Sequence, residues 1–151
     1  MKTEVAFDPV YARERLTERL SPVRKVRLAG EIFWSYVRVR VRLLRDDLPA
    51  ILATLRKGPA DAQEEPSLDE QLTAVRLARA VARALAPLPF DSRCLVRSLV
   101  LSDLLGRRRI AAHLVIGVRN GTTFEAHAWV EMCGIALLPG DAAEYDRLVE
   151  L

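Results

Sequence analysis

The chain of 151 residues is half apolar and 28% charged, with a net charge of +3. That describes one ordinary globular domain, or a small domain with a helical extension, able to bury roughly 70% of its unfolded surface. No apolar run reaches membrane-spanning length and no secretory signal pattern opens the chain, so the sequence reads as cytoplasmic with reduced thiols. The two cysteines and two histidines show no zinc-ligand spacing, and no cofactor or metal is expected. Only Lys2, Lys25 and Lys57 are lysines among 23 basic residues, and arginines concentrate between Arg13 and Arg45. That run is either a solvated face or a docking surface for an acidic partner. With no recognisable binding module beside it, nucleic acid is not expected.

In chain order, Asp8-Pro9 caps a first short helix that ends near Ser21-Pro22. From Val23 onward the spacing of Phe33, Tyr36, Val37, Val41, Leu44 and Leu48 predicts a helix. Val37-Arg-Val-Arg-Val-Arg42 alternates like a strand, but the apolar stripe is longer than a strand. Pro49 leads into another short helix over Ala50–Leu55. Lys57–Pro66 reads as a linker, dividing a helical region (1–60) from a second unit (67–151). Ser67 and Glu70 form a capping box for a helix whose stripe is Leu68, Leu72, Val75, Ala78, Ala82 and Leu85.

Beyond Phe90 the character changes. Asp91 and Ser92 cap a helix from Arg93 to Leu105, with Gly106 as its stop. Ala112–Val118 reads as a buried strand, and Asn120-Gly121 as a hairpin turn. Thr123–Met132 alternates cleanly. It places Phe124, Ala126, Ala128 and Val130 on one face and Glu125, His127, Trp129 and Glu131 on the other. Cys133-Gly134 turns the chain into a third strand over Ile135–Leu138, and Asp141–Leu151 reads as a short helix. The expected fold is α+β.

Cys94 falls in the first turn of its helix, where unpaired N–H groups favour a thiolate, and His127 follows thirty-three residues later on a strand face with two acids. His113, with no acid immediately flanking it, reads as structural. A Cys-His pair with a third, orienting group is the arrangement of papain- and transglutaminase-like acyl chemistry. If the loop after β-strand residue Glu131 is three residues long, Asp141 lies one diagonal step from His127; a two-residue loop puts it on the wrong face. Asp141 therefore either orients the imidazole or, with Glu144, caps the last helix.

Arg93-Cys-Leu-Val-Arg-Ser-Leu99, Leu104-Leu-Gly-Arg-Arg108, Leu114-Val-Ile-Gly-Val118 and Phe124-Glu-Ala-His-Ala-Trp-Val-Glu131 resemble the lasso-peptide leader peptidases. These are transglutaminase-like proteins, and the resemblance covers about residues 90–138. It implies a helical front half, a transglutaminase-like core with a catalytic helix and antiparallel sheet, and a cysteine peptidase that removes the leader of a ribosomally made precursor peptide. Cys94 would be the nucleophile and His127 the base and later acid. The family's acid position, about a dozen residues past the histidine, holds Pro139 here, with Asp141 nearest. The implied partners are the precursor's leader region, a separate leader-recognition protein and an ATP-dependent lasso cyclase. A non-catalytic scaffold with a degenerate core, or amidase or acyl-transfer chemistry on another substrate, are the competing readings.

Overall fold

The computed structural model describes residues 21–46, 50, 66–87, 93–120, 124–138 and 145–150. Helix α1 (Pro22–Arg45) starts where Ser21 accepts from the Arg24 amide and Pro22 needs no hydrogen-bond partner for its nitrogen. The Val-Arg repeat is helical, because caps and a 24-residue register outweigh the β-preference of a few valines. Of the predicted stripe, however, Tyr36 packs against the core but most of the rest lies on the outer side. Ile32, Ser35 and Val39 are buried, whereas Phe33, Val41 and Leu44 are exposed. The helix carries two apolar faces, and a periodicity reading cannot say which one meets the core. Leu48, the first short helix, most of Ala50–Leu55 and most of the linker lie outside the described residues.

Helix α2 (Leu68–Ala84) begins with the expected capping box: Glu70 N–H donates to Ser67 Oγ at 3.3 Å, and Ser67 N–H donates to Glu70 Oε2 at 2.8 Å. Those contacts hold the Glu70 carboxyl below its ordinary pKa, the backbone bond from Ser67 foremost. Leu72, Ala78 and Leu85 are buried as expected, joined by Ala74, Leu77 and Val81.

Helix α3 (Arg93–Arg107) is the hub: it packs on both other helices and on the sheet. Val96, Leu99, Val100, Leu101, Leu104 and Leu105 are all buried, so its apolar surface extends well beyond one stripe, as suits an element enclosed between layers. Gly106 does not stop it. The helix continues to Arg107, and Arg109 takes the left-handed conformation (φ 57°) usually given to glycine. The Ile110 amide reaches back to the Leu105 carbonyl and the Arg109 amide to that of Gly106, a Schellman ending displaced three residues beyond the glycine. Ile32 and Val39 of α1 share one core with α2, α3, Leu114, Val130 and Met132.

Polar clamps bind α1 to α3. Asp103 accepts from the buried Ser35 hydroxyl (2.8 Å), from Arg38 (3.0 Å) and from Arg107 (3.2 Å). Glu31 pairs with Arg108 across the interface and with Arg27 along α1. The Arg108 hydrogen bond, more than any other contact, holds the Glu31 carboxyl below its ordinary pKa. A depressed carboxylate pKa contributes stability above the unfolded value of about 4.3, and that contribution is lost as pH falls through the folded value. Glu31→Gln is therefore expected to lower Tm at pH 7, with the gap to wild type closing by pH 3 in a thermal-melt series.

The sheet is antiparallel with order β3-β2-β1-β4. Strands β1 (His113–Asn120) and β2 (Phe124–Met132) pair from His113↔Glu131 to Asn120↔Phe124, giving the expected hairpin. Strand β3 (Ile135–Ala136) is shorter than predicted. Its register, Met132↔Ile135 and Glu131↔Ala136, makes Cys133-Gly134 a two-residue turn, both residues at positive φ (51° and 73°). A three-residue loop is excluded. The fourth strand, β4 (Asp146–Glu150), replaces the helix expected at the C-terminal end and pairs with the edge of β1. So short a segment gains little as a helix, whereas the open strand edge offers it ready backbone partners.

Candidate active site

Cys94 lies in the first turn of α3, half-buried, and is a free thiol. Its predicted caps Asp91 and Ser92 are outside the described residues. The other free cysteine, Cys133, is exposed in the β2–β3 turn. One helical turn beyond Cys94, the buried Ser98 hydroxyl donates to the Ala128 carbonyl at 2.9 Å, tying the first half of α3 to β2 beside His127. Val130 O accepts from Leu137 N–H, so the carbonyls of alternate residues, Ala128 included, face the β3 side of β2. Ser98→Ala would leave this carbonyl without its donor and is expected to lower stability by about 1–3 kcal/mol in urea unfolding.

The alternation of β2 holds: His127 shares a face with Glu125, Trp129 and Glu131, while Ala128, Val130 and Met132 are buried on the other. The His127 face is less solvated than its polar composition implies, since Trp129 and Glu131 are also buried. The His127 imidazole stacks on the Trp129 indole (centroids 5.8 Å apart, 21° between planes) and meets the Tyr145 ring at 5.1 Å. Each aromatic is fixed at its polar end by a glutamate-arginine pair. Trp129 Nε1 donates to Glu131 Oε1 at 2.7 Å, and that oxygen accepts from Arg147 at 2.9 Å. The Tyr145 hydroxyl approaches Glu125 Oε2 at 3.4 Å; the same oxygen accepts from Arg119, whose guanidinium lies 5.1 Å over the Tyr145 ring.

Gly117 stands opposite His127 in the β1–β2 register. A Cβ there would come within 2.8 Å of Trp129 and 2.9 Å of the Tyr145 Cβ. The absent side chain lets the two aromatics close over the strand, and the bulge between Ile116 and Gly117 re-aims β4 at that point. Tyr145 and Gly117 escaped the sequence reading. A lone glycine inside a buried strand pattern signals close approach, whereas nothing local marks a tyrosine eighteen residues past the histidine.

His113 is exposed at the start of β1. Asp141 and Pro139 lie outside the described residues. The two-residue turn removes the register argument that would have put Asp141 on the His127 face. Among the described residues no cluster of His, Cys, Asp or Glu could hold a metal ion, and no helix is long and apolar enough to cross a membrane.

A thiol at a helix start, a strand histidine and a helix-to-sheet tie between them point to a known fold family, and a family model described as the transglutaminase-like superfamily matches residues 33–151. The chain belongs to the transglutaminase-like superfamily. Its three described helices and four-stranded antiparallel sheet are accordingly the α+β architecture expected from the motifs. Within the superfamily, the resemblance read from the motifs is borne out. The chain is similar to the microcin J25-processing protein McjB of Escherichia coli, 51% identical over 45 residues, or 30% of this chain and 21% of McjB. The matched stretch thus spans about a fifth of that relative's length. No solved structure matches.

Proposed function

We propose that this transglutaminase-like protein is a cysteine peptidase that cleaves the leader from a ribosomally made lasso precursor. The observation that carries the reading is the caged imidazole of His127, set on β2 next to the point where Ser98 ties down the Cys94 helix. Similarity to a microcin-processing protein supports this choice of substrate class. In this mechanism the Cys94 thiol passes its proton to His127, and the thiolate attacks the carbonyl of the last leader residue. The amides of the first turn of α3, that of Cys94 among them, stabilise the oxyanion as it forms. His127 then protonates the departing core amine and activates the water that frees Cys94. The amine so released is the group that an ATP-dependent cyclase acylates in closing the ring.

Trp129 and Tyr145 flank the imidazole and restrict its plane, in addition to whatever group orients its ring nitrogens. Asp141 is retained as a proposed orienting residue; it and Glu144, its partner in the capping alternative, lie outside the described residues. Leader recognition is assigned to a separate protein, and the two free thiols fit action in the cytoplasm. The test is alkylation by iodoacetamide at pH 6 in a Cys133→Ser background, which removes the exposed second thiol. Fast labelling of Cys94 that slows by about tenfold or more in His127→Ala supports an activated thiolate. Slow labelling, indifferent to His127, would make the protein a scaffold.

A further inference from the structure

Helix α1 presents a second apolar face to solvent. Val23, Val26, Phe33, Trp34, Val41 and Leu44 lie along the side opposite Ile32, Ser35 and Val39, with Phe33 65% and Trp34 60% exposed. At about 1.5 Å per residue this stripe runs the length of the helix, roughly 35 Å, where isolated exposed apolar residues would be unremarked. Its flanks are basic: the 24 residues of α1 carry six arginines and a lysine against one acid, Glu31. Beside the stripe, α1 and α3 form an open cleft of about 520 Å³ whose lining includes Gly30, Glu31, Trp34 and Leu104 together with the arginines at 27, 38, 107 and 108. Among the described residues, four guanidiniums in this wall are served by two carboxylates, Glu31 and Asp103, a surplus of two positive charges. At Gly30 a Cβ would meet nothing within 4 Å, so the helix is notched next to Trp34.

We propose that this face and cleft dock an acidic amphipathic helix of a partner protein. One large apolar side chain of that helix enters the notch over Gly30 against Trp34 and Leu104, and its carboxylates meet the arginine rim. Charge decides among occupants. A second copy would set two strongly basic helices against each other, which like-charge repulsion opposes. A bilayer surface would cover the convex stripe but leave the concave, Glu31-floored cleft unused. Nucleic acid would leave the exposed aliphatic stripe uncovered. The inference stands apart from the peptidase reading, since it uses neither Cys94 nor His127.

The experiment uses the full chain and two fluorescein-labelled peptides of about 18 residues, five helical turns. Both carry leucines at i, i+3, i+4, i+7 spacing; the flanking positions are glutamate in one and lysine in the other. By fluorescence anisotropy the glutamate peptide is expected to bind saturably, about tenfold or more tighter than the lysine peptide, and more weakly as salt rises. Gly30→Leu fills the notch without altering charge and replaces a helix-interior glycine, so Tm holds or rises while affinity falls by about tenfold. Trp34→Ala gives a similar loss, and Cys94 alkylation is unchanged in both variants. Equal affinity for the two peptides, or full affinity in Gly30→Leu, overturns the proposal. So does tighter binding to phosphatidylglycerol vesicles than to the peptide, or a dimer in sedimentation velocity that Gly30→Leu dissociates.

Discussion

On the proposed function, purified protein carrying Cys94→Ala is expected to leave a lasso precursor uncut when incubated with the proposed leader-recognition partner, and the unsubstituted chain is expected to release leader and core as two masses. Loss of the proposed nucleophile would remove the covalent route altogether, so the rate should fall by about 10⁴-fold or more, and His127→Ala should fall comparably if the two groups act as the proposed unit. Cys133→Ser is the matched control: that thiol is exposed in a turn and far less suited to activation than one in a helix's first turn. Undiminished cleavage by Cys94→Ala would end the peptidase reading. Asp141→Ala adds a second answer from the same assay. A loss smaller than about tenfold means that the aromatic cage holds the imidazole unaided, since an orienting acid in a triad contributes far more.

Gly117→Ala is expected to damage the same assay from the opposite strand. The new methyl group would sit 2.8 Å from Trp129, 2.9 Å from the Tyr145 Cβ and 3.0 Å from the Asp146 carbonyl oxygen, two of which are backbone or backbone-linked and cannot swing aside. Overpacking of this kind costs about 1–3 kcal/mol, so Tm should drop by several degrees. The activity loss should exceed what the lost stability explains at assay temperature, because relief of the clash pushes Trp129 or Tyr145 off His127. Measuring kcat and KM separately makes the distinction: a displaced base lowers kcat with little change in KM. An alanine variant with unchanged kcat and Tm would show that the cage tolerates expansion.

Much of this fold was legible because its signals are local. The Ser67–Glu70 capping box, the alternation of β2 and the Cys133-Gly134 turn each depend on contacts within a few residues, and each is present. What escaped depends on partners distant in sequence. Which apolar face of α1 is buried is decided by Asp103 and α3, some 65 residues away, through Ser35 and Arg38. Asp146–Glu150 is a strand because β1 offers an edge, a fact that no window of the C-terminal sequence contains. The site divides the same way. Cys94 and His127 stand out as candidates from residue type and local context, and Trp129 as a shield of the imidazole from its i+2 spacing. Tyr145, Gly117 and the glutamate-arginine anchors emerge only once β4 is laid beside β1.

Strand β4 has one more consequence. It is five residues long, mostly exposed and hydrogen-bonded on its described side to β1 alone, so it opens at a lower free energy than the central strands β1 and β2. It also carries Arg147, and Tyr145 immediately precedes it. A fluctuation that peels it away removes the ring facing His127 and the guanidinium that holds Glu131 under Trp129 in a single event, while the helical layer and the Cys94 turn stay folded. If the chain acts as proposed, catalytic competence and global foldedness are therefore separate equilibria: a population folded by every helical measure can still hold a fraction whose imidazole has lost its frame.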